Sequence, residues 1–230
     1  MAGLLVSLNF ALSADGKAAT REPGPSGFAS SADHQRLLEL RAPADALLVG
    51  HATLRADSMS MNLASRPDLA AARETRRKPP HPARIVLTRH PDSADLADLA
   101  AKPGGPVHLL SPVKLPSPPA GISCHRIDTT RADADPQADP LAGALTALAT
   151  AKKWDHIHCE GGPTLARRLL ACGLVGRLHL TITHHLFGGG TSHTLTGPGW
   201  LPPFQASSRW TTTERVIREN EIFLTLQRSN

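Results

Sequence analysis

His156-Ile157-His158-Cys159-Glu160-Gly161-Gly162-Pro163-Thr164-Leu165 is the stretch on which the fold turns. His156 to Cys159 reads as a short strand, and from Pro163 to Cys172 the residues Leu165, Leu169 and Cys172 fall on one face of a helix. A strand that runs through two glycines directly into a helix is a building block of an α/β sheet. Gly161 and Gly162 let a phosphate come close to the backbone, Pro163 suits the first helical position, and the free N–H groups of Thr164 and Leu165 point at an anion. The same five residues fit a plain strand-to-helix turn equally well. Glu160 favours the ligand reading, because a carboxylate beside a phosphate cradle is awkward unless it faces a substrate, to which it could hydrogen-bond or supply a proton.

Working outward, Gly50-His51-Ala52-Thr53 repeats the pattern: Ala46 to Val49 is an apolar strand, Gly50 ends it, Thr53 can cap a helix or donate to a phosphate, and Asp57 lies one turn further on. Alone this is an ordinary helix start. Two such junctions in one sheet suit a dinucleotide, which needs anchoring at both halves. Leu4 to Leu12 reads as a strand buried on both faces, with Ser7 and Asn9 as polar interruptions. Further strands are expected at 84–87, 107–110 and 122–127. Helices are expected from Ser31 or Asp33 to Arg41, within 92–101, and over 140–152. Residues 15–31 read as a long loop, and 58–83, polar and broken by prolines, as a flexible flap. The segments 178–183, 209–217 and 222–226 alternate as antiparallel strands do. The expectation is one α/β domain over residues 1–230, with a mixed, mainly parallel sheet flanked by helices and an antiparallel C-terminal part. Its ligand should lie beyond the carboxyl ends of the parallel strands.

Composition excludes several classes. The 230 residues can bury a core without staples, and 25 Lys and Arg against 20 Asp and Glu give a net charge of only +5. The basic residues are scattered apart from Arg73 to Lys78, and a chain with no tyrosine lacks stacking platforms for nucleic acid. Three cysteines without a C-x-x-C pair fit neither a disulfide framework nor a zinc ribbon, and suit a reducing cytoplasm. The N-terminus has no basic region before its apolar stretch, so it reads as a first core strand rather than a signal peptide. No run of apolar residues is long enough for a membrane span. His158-Cys159-Glu160 imitates part of a zinc-deaminase motif whose P-C-x-x-C is absent. The paired histidines at 156, 158, 184 and 185 are read as surface or core residues, with no metal.

Ser7 to Thr20 (SLNFALSADGKAAT), Leu40 to Asp57 (LRAPADALLVGHATLRAD), Glu160 to Leu165 (EGGPTL) and Gly173 to Gly190 (GLVGRLHLTITHHLFGGG) together resemble the reductase domain of riboflavin biosynthesis. The resemblance runs in order through nearly the whole chain. It implies a dihydrofolate-reductase-like fold, a homodimer, and an NADPH-dependent reductase. Its substrate would be 5-amino-6-(5-phosphoribosylamino)uracil, whose ribosyl group becomes ribityl. Carried over by position, the resemblance implies cofactor contacts at Gly50, Thr53, Asp57, Gly161, Gly162, Pro163, Thr164 and Leu165. Ala11 would lie near the nicotinamide and Thr88 near the adenosine end. It implies substrate contacts at Ser26, Arg41 and Glu160, and Asn9 stands where the family has Lys or Asn. Glu160 and Asn9 are thus the expected catalytic pair. The rival reading of Asn9 is a satisfied core amide, and that of Arg41 a solvated charge at a helix C-terminus.

Two segments depart from the family. After Asp57 the family continues Asp/Asn-Pro-x-Leu-Thr-x-Arg, whereas this chain has Ser58-Met59-Ser60-Met61-Asn62 and its next arginine, Arg66, is out of register. Met61 and Arg66 are the candidates for the substrate contacts of this altered loop. Leu174-Val175-Gly176-Arg177 replaces Leu-Val-Asp-Glu, a change expected to concern strand pairing or a dimer surface. The alternatives are a related NAD(P)H reductase acting on another heterocycle or a pterin, and a noncatalytic nucleotide-binding homologue.

Overall fold

The computed structural model describes residues 3–18, 29–128, 139–189, 194–197 and 209–229. Its strands are β1 (Leu5–Leu12), β2 (Ala46–Gly50), β3 (Ala83–Leu87), β4 (Val107–Ser111), β5 (Ile122–Arg126), β6 (His156–Cys159), β7 (Val175–Ile182), β8 (Trp210–Arg218) and β9 (Glu221–Arg228). Its helices are α1 (Ser31–Arg41), α2 (His51–Ala56), α3 (Pro67–Thr75), α4 (Ser93–Ala101), α5 (Pro140–Lys152) and α6 (Pro163–Ala171). The strands form one sheet in the order β5-β4-β3-β2-β6-β1-β7-β9-β8. Every pairing from β5 to β7 is parallel, and β9 pairs antiparallel with β7 and β8. This is the expected mixed sheet with an antiparallel C-terminal part.

Strand β1 sits in the middle of the sheet, and its alternation sorts the two faces. Val6, Leu8, Phe10 and Leu12 enter a core closed by Leu141, Leu145 and Leu148 of α5 and by Leu165, Ala166 and Leu169 of α6. Ser7 and Asn9 point the other way, as the period of two requires. A second core, on the far half of the opposite face, holds Leu47, Val49, Leu54, Val86, Leu96 and Leu99. Helix α1 covers the C-terminal half of that face: Arg36 donates to Thr225 Oγ1 at 2.9 Å and to Glu214 at 3.0 Å. Among the described residues, no helix is long and apolar enough to cross a membrane.

Residues 58–83 are more ordered than their composition suggests. They contain α3, whose Arg73 is 1% exposed and donates to the carbonyl oxygens of Pro79, Ala42 and Ala44. A charged residue in a basic run is thereby used to tie the segment to the turn after α1. Arg84, on β3, does the same for the carbonyls of Gly105, Leu99 and Lys102. Buried guanidinium groups need such acceptors, since an unsatisfied buried donor is costly.

Met61 also corrects a sequence expectation. It is wholly buried in the second core, with φ +50°, so it packs the interior and offers no surface to a substrate. Its apolar, unbranched side chain belongs to the same cluster as Leu54 of α2 and Leu96 of α4.

Candidate active site

The two strand-glycine-helix junctions lie side by side because β2 and β6 are neighbours. They are joined by hydrogen bonds, Gly50 N–H to Gly161 O at 3.3 Å and Glu160 N–H to Leu48 O at 3.0 Å. Gly162 caps α6 with φ +41°, and a Cβ at this position would lie 2.8 Å from Thr53 Oγ1. Gly161 has φ +106°, and a Cβ there would make ordinary contact with the Phe10 ring at 3.4 Å. Backbone conformation therefore requires both glycines, and close approach requires Gly162 as well.

These junctions open on a cleft of about 1250 Å³ lined by Gly50, Thr53, Thr88, Gly162, Pro163, Thr164 and Leu165 among others. Seven of the expected cofactor residues thus meet in one depression. Ala11, Asp57 and Gly161 are not in its lining; Asp57 is the C-cap of α2, and Gly161 directly precedes Gly162 of the lining. Thr88 follows β3, whose end lies beside β2. The lining also includes Arg55, Arg89, Arg167 and Arg168, with Asp92 as its carboxylate. Sequence reading missed this positive wall, because its members come from α2, the β3–α4 connection and α6, and only the sheet order brings them together. Arg55 is engaged by Asp95 at 2.7 Å and Arg168 by Asp139 at 2.7 Å. Arg89 follows Thr88 directly.

Behind the cradle, Arg41 and Glu160 form a forked ion pair with Nε–Oε1 2.5 Å and Nη2–Oε2 2.7 Å. Their side chains are 7% and 2% exposed. Arg41 Nη1 also donates to the Asn62 carbonyl at 2.9 Å. The C-terminal residue of α1 is thus a buried, fully partnered cation rather than a solvated helix-end charge. Arg66 is placed elsewhere: at the N-cap of α3 it makes a fork with Asp68, at 2.8 and 2.6 Å, and it is absent from the cleft lining. Ser26 lies outside the described residues.

The face beneath α1 carries a polar row. Ser7 Oγ lies 2.7 Å from His156 Nε2 and 2.8 Å from His158 Nδ1, and the His158 ring is 6.1 Å from that of His179. Burial pushes His156 down to about 4 and His179 to about 3, and holds His158 well below the ordinary histidine range, so these rings are neutral near pH 7. Asn9 Oδ1 and His158 Nε2 are buried without a hydrogen-bond partner. Each such orphan costs on the order of 1–3 kcal/mol, so the core-amide reading of Asn9, which needs a satisfied amide, is not the arrangement found. Burial also drives the Cys159 thiol up to about 12, which leaves it inert as a nucleophile. Among the described residues, no group of three or more His, Cys, Asp or Glu could hold a metal.

The mixed sheet thus brings two strand-glycine-helix junctions to one cleft with four arginines in its lining. A family model described as the RibD C-terminal domain matches residues 5–217, and the chain belongs to that family. This is a reductase family, which implies an oxidoreductase. Among solved structures, a pyrimidine reductase-like protein from Corynebacterium diphtheriae superimposes with TM-score 0.77 at 21% identity, covering 99% of this chain and 92% of that one. RibD from Acinetobacter baumannii gives 0.78 at 19% identity; all of this chain is covered, but it spans only 59% of that protein's length. The riboflavin biosynthesis reductase Rib7 of Saccharomyces cerevisiae gives 0.68 at 14% identity, with coverage of 100% and 91%. At these identities the likeness concerns the fold. No curated protein sequence matches the chain.

Proposed function

We propose that the protein is an NADPH-dependent reductase of a phosphoribosylated aminopyrimidine, with 5-amino-6-(5-phosphoribosylamino)uracil as the leading substrate. The observation that carries this is the pair of hydrogen-bonded junctions at Gly50 and Gly161, which present Thr53 and the start of α6 to one cleft. The residues fit a dinucleotide: the glycines leave no room for side chains where a pyrophosphate would lie, and Arg89 offers positive charge beside Thr88 for a ribose phosphate. A reduced nicotinamide bound there supplies the hydride.

The chain's own part is binding and positioning. Gly161 to Leu165 and Thr53 hold the phosphates, and Phe10, packed on Gly161, keeps the cradle dry. Glu160 acts as an acceptor that orients the substrate. Arg41 grips both of its oxygens, so they are free for the substrate only after that grip is released. Arg41 is the cation suited to the substrate's phosphate, and Asn9 faces the same floor. The expected assembly is a homodimer, which light scattering would check.

The test is consumption of NADPH with the phosphorylated intermediate, its dephosphorylated form and a pterin as competing substrates. A strong preference for the phosphorylated pyrimidine supports this reading. Preference for a pterin favours a related reductase, and tight NADPH binding without turnover on any substrate favours a noncatalytic homologue.

A further inference from the structure

The cleft runs along the carboxyl ends of the parallel strands, and the sheet order places the parts of a dinucleotide along it. Neighbouring strands lie about 4.8 Å apart. In the order β6-β2-β3-β4-β5, the cradle at Gly162 follows β6, Gly50 ends β2, and Thr88 directly follows β3. Further along, the lining turns apolar with Leu87, Pro112 and Ile127, the last two directly following β4 and β5. That end suits a flat base and the cradle end a pyrophosphate. The ribose between them must pass the connection from β3 to α4, where Thr88, Arg89 and Asp92 line the cleft. Asp92 has an oxygen to spare there. Its Oδ1 accepts from Ala94 N–H at 2.8 Å and so caps α4. Its Oδ2 meets Arg55 Nη2 at the long distance of 3.3 Å, and Arg55 is committed to Asp95 through Nε at 2.8 Å and Nη2 at 2.7 Å. The Asp92 side chain is 46% exposed, so its second oxygen is open to a ligand in the cleft.

We propose that Asp92 is a specificity-determining residue for the coenzyme: its Oδ2 accepts a hydrogen bond from the free 2′-hydroxyl of NADH and opposes the 2′-phosphate of NADPH. A ribose hydroxyl that donates to a carboxylate makes a charge-assisted bond, whereas a phosphate brought to the same place meets like charge. Arg89, exposed in the same lining, pulls the other way. The cleft therefore takes both coenzymes, and Asp92 keeps its preference for NADPH small. The proposal rests on the reductase reading above and adds to it which side chain weighs one coenzyme against the other.

The experiment measures binding of NADPH and NADH to the full chain by titration calorimetry, without substrate and at fixed ionic strength. Adenosine 2′,5′-bisphosphate and 5′-AMP, which differ only in the 2′-phosphate, are titrated beside them. Asp92→Asn keeps an oxygen to cap α4 and removes the charge, and Asp92→Ser keeps a capping hydroxyl on a shorter side chain. Wild type is expected to bind NADPH within about thirtyfold of NADH. In both variants NADPH should bind about threefold tighter and NADH about threefold weaker, so the ratio of the two constants shifts about tenfold, and the fragment pair should shift the same way. A role in capping alone would move both affinities in one direction, so movements of opposite sign are what the proposal requires. A ratio that shifts less than about threefold in the variants, or a wild-type preference for NADPH beyond about thirtyfold, overturns the proposal and leaves the reductase reading intact. Wild-type protein that binds neither coenzyme overturns both. If one variant does not fold, the other and the wild-type ratio carry the test.

Discussion

Arg41 and Glu160 hold each other through two charge-assisted bonds, from the last residue of α1 to the residue that follows β6, with both side chains closed to water. Removing one member of such a pair leaves the other charge buried alone, which typically costs about 3–5 kcal/mol. Glu160→Gln is therefore expected to lower stability by a few kcal/mol as well as turnover, measured by urea unfolding beside initial rates. The sequence alone marked Glu160 only as half of the expected catalytic pair. The double change Arg41→Met with Glu160→Met should return much of the stability and none of the activity, and an E160Q protein as stable as wild type would show the pair to be idle.

Gly162 and Thr53 touch where a cofactor phosphate is expected. Gly162→Ala puts a Cβ 2.8 Å from Thr53 Oγ1 at a φ of +41° that alanine resists. NADPH affinity should fall tenfold or more, read by quenching of nucleotide fluorescence, with circular dichroism confirming the fold. Unchanged affinity would move the pyrophosphate elsewhere.

Arg89 is the arginine of the cleft that directly follows Thr88. If it faces the phosphate that distinguishes NADPH from NADH, Arg89→Ala should weaken NADPH binding roughly tenfold, about 1.4 kcal/mol, and leave NADH binding almost unchanged. Equal losses for both would assign Arg89 to the pyrophosphate.

Met61 and Arg66 test the altered loop. Met61→Ala should cost about 2–5 kcal/mol in stability as a core cavity, with little change in KM. Arg66→Ala should change neither much, since its guanidinium is taken up by Asp68 at the surface. A tenfold rise in KM for the phosphorylated substrate alone would restore Arg66 to the phosphate grip.

Acid should expose the buried histidines. His108 and His156 are held near 4 and His179 near 3, against an ordinary value of 6.5, so the unfolded chain binds more protons than the fold between these limits. Stability is thus undiminished above about pH 6.5 and declines as the pH falls toward 4. The slope is up to about 1.4 kcal/mol per pH unit for each histidine. Asp15 and Asp68, held down to about 2, add their own loss only below about pH 4. Thermal melts between pH 7 and 4.5 check this, and His108→Phe, which replaces one buried imidazole by a ring that binds no proton, should flatten the slope.

The order of strands and helices apart from α3, the mixed sheet and both glycine junctions were legible because they rest on local signals: apolar period, helix starts at proline, and glycine where a turn needs it. Arg41 and Glu160 were legible as separate candidates through the family resemblance. Their bond was not, because 119 residues of chain separate them and nothing local couples the end of a helix to the end of a distant strand. The same holds for Arg73, whose basic run suggested a solvated segment until three carbonyls from remote turns were found around it. Met61 failed for the complementary reason: an apolar residue in a polar loop can cover a ligand or enter a core, and packing alone chooses. By itself the sequence determined most of the elements and the two junctions at which a strand passes through glycine into a helix. Only the tertiary structure decided which charges pair and which arginines line the cleft. Those depend on side chains meeting across adjacent strands and on the exclusion of water that makes each unmet hydrogen bond costly.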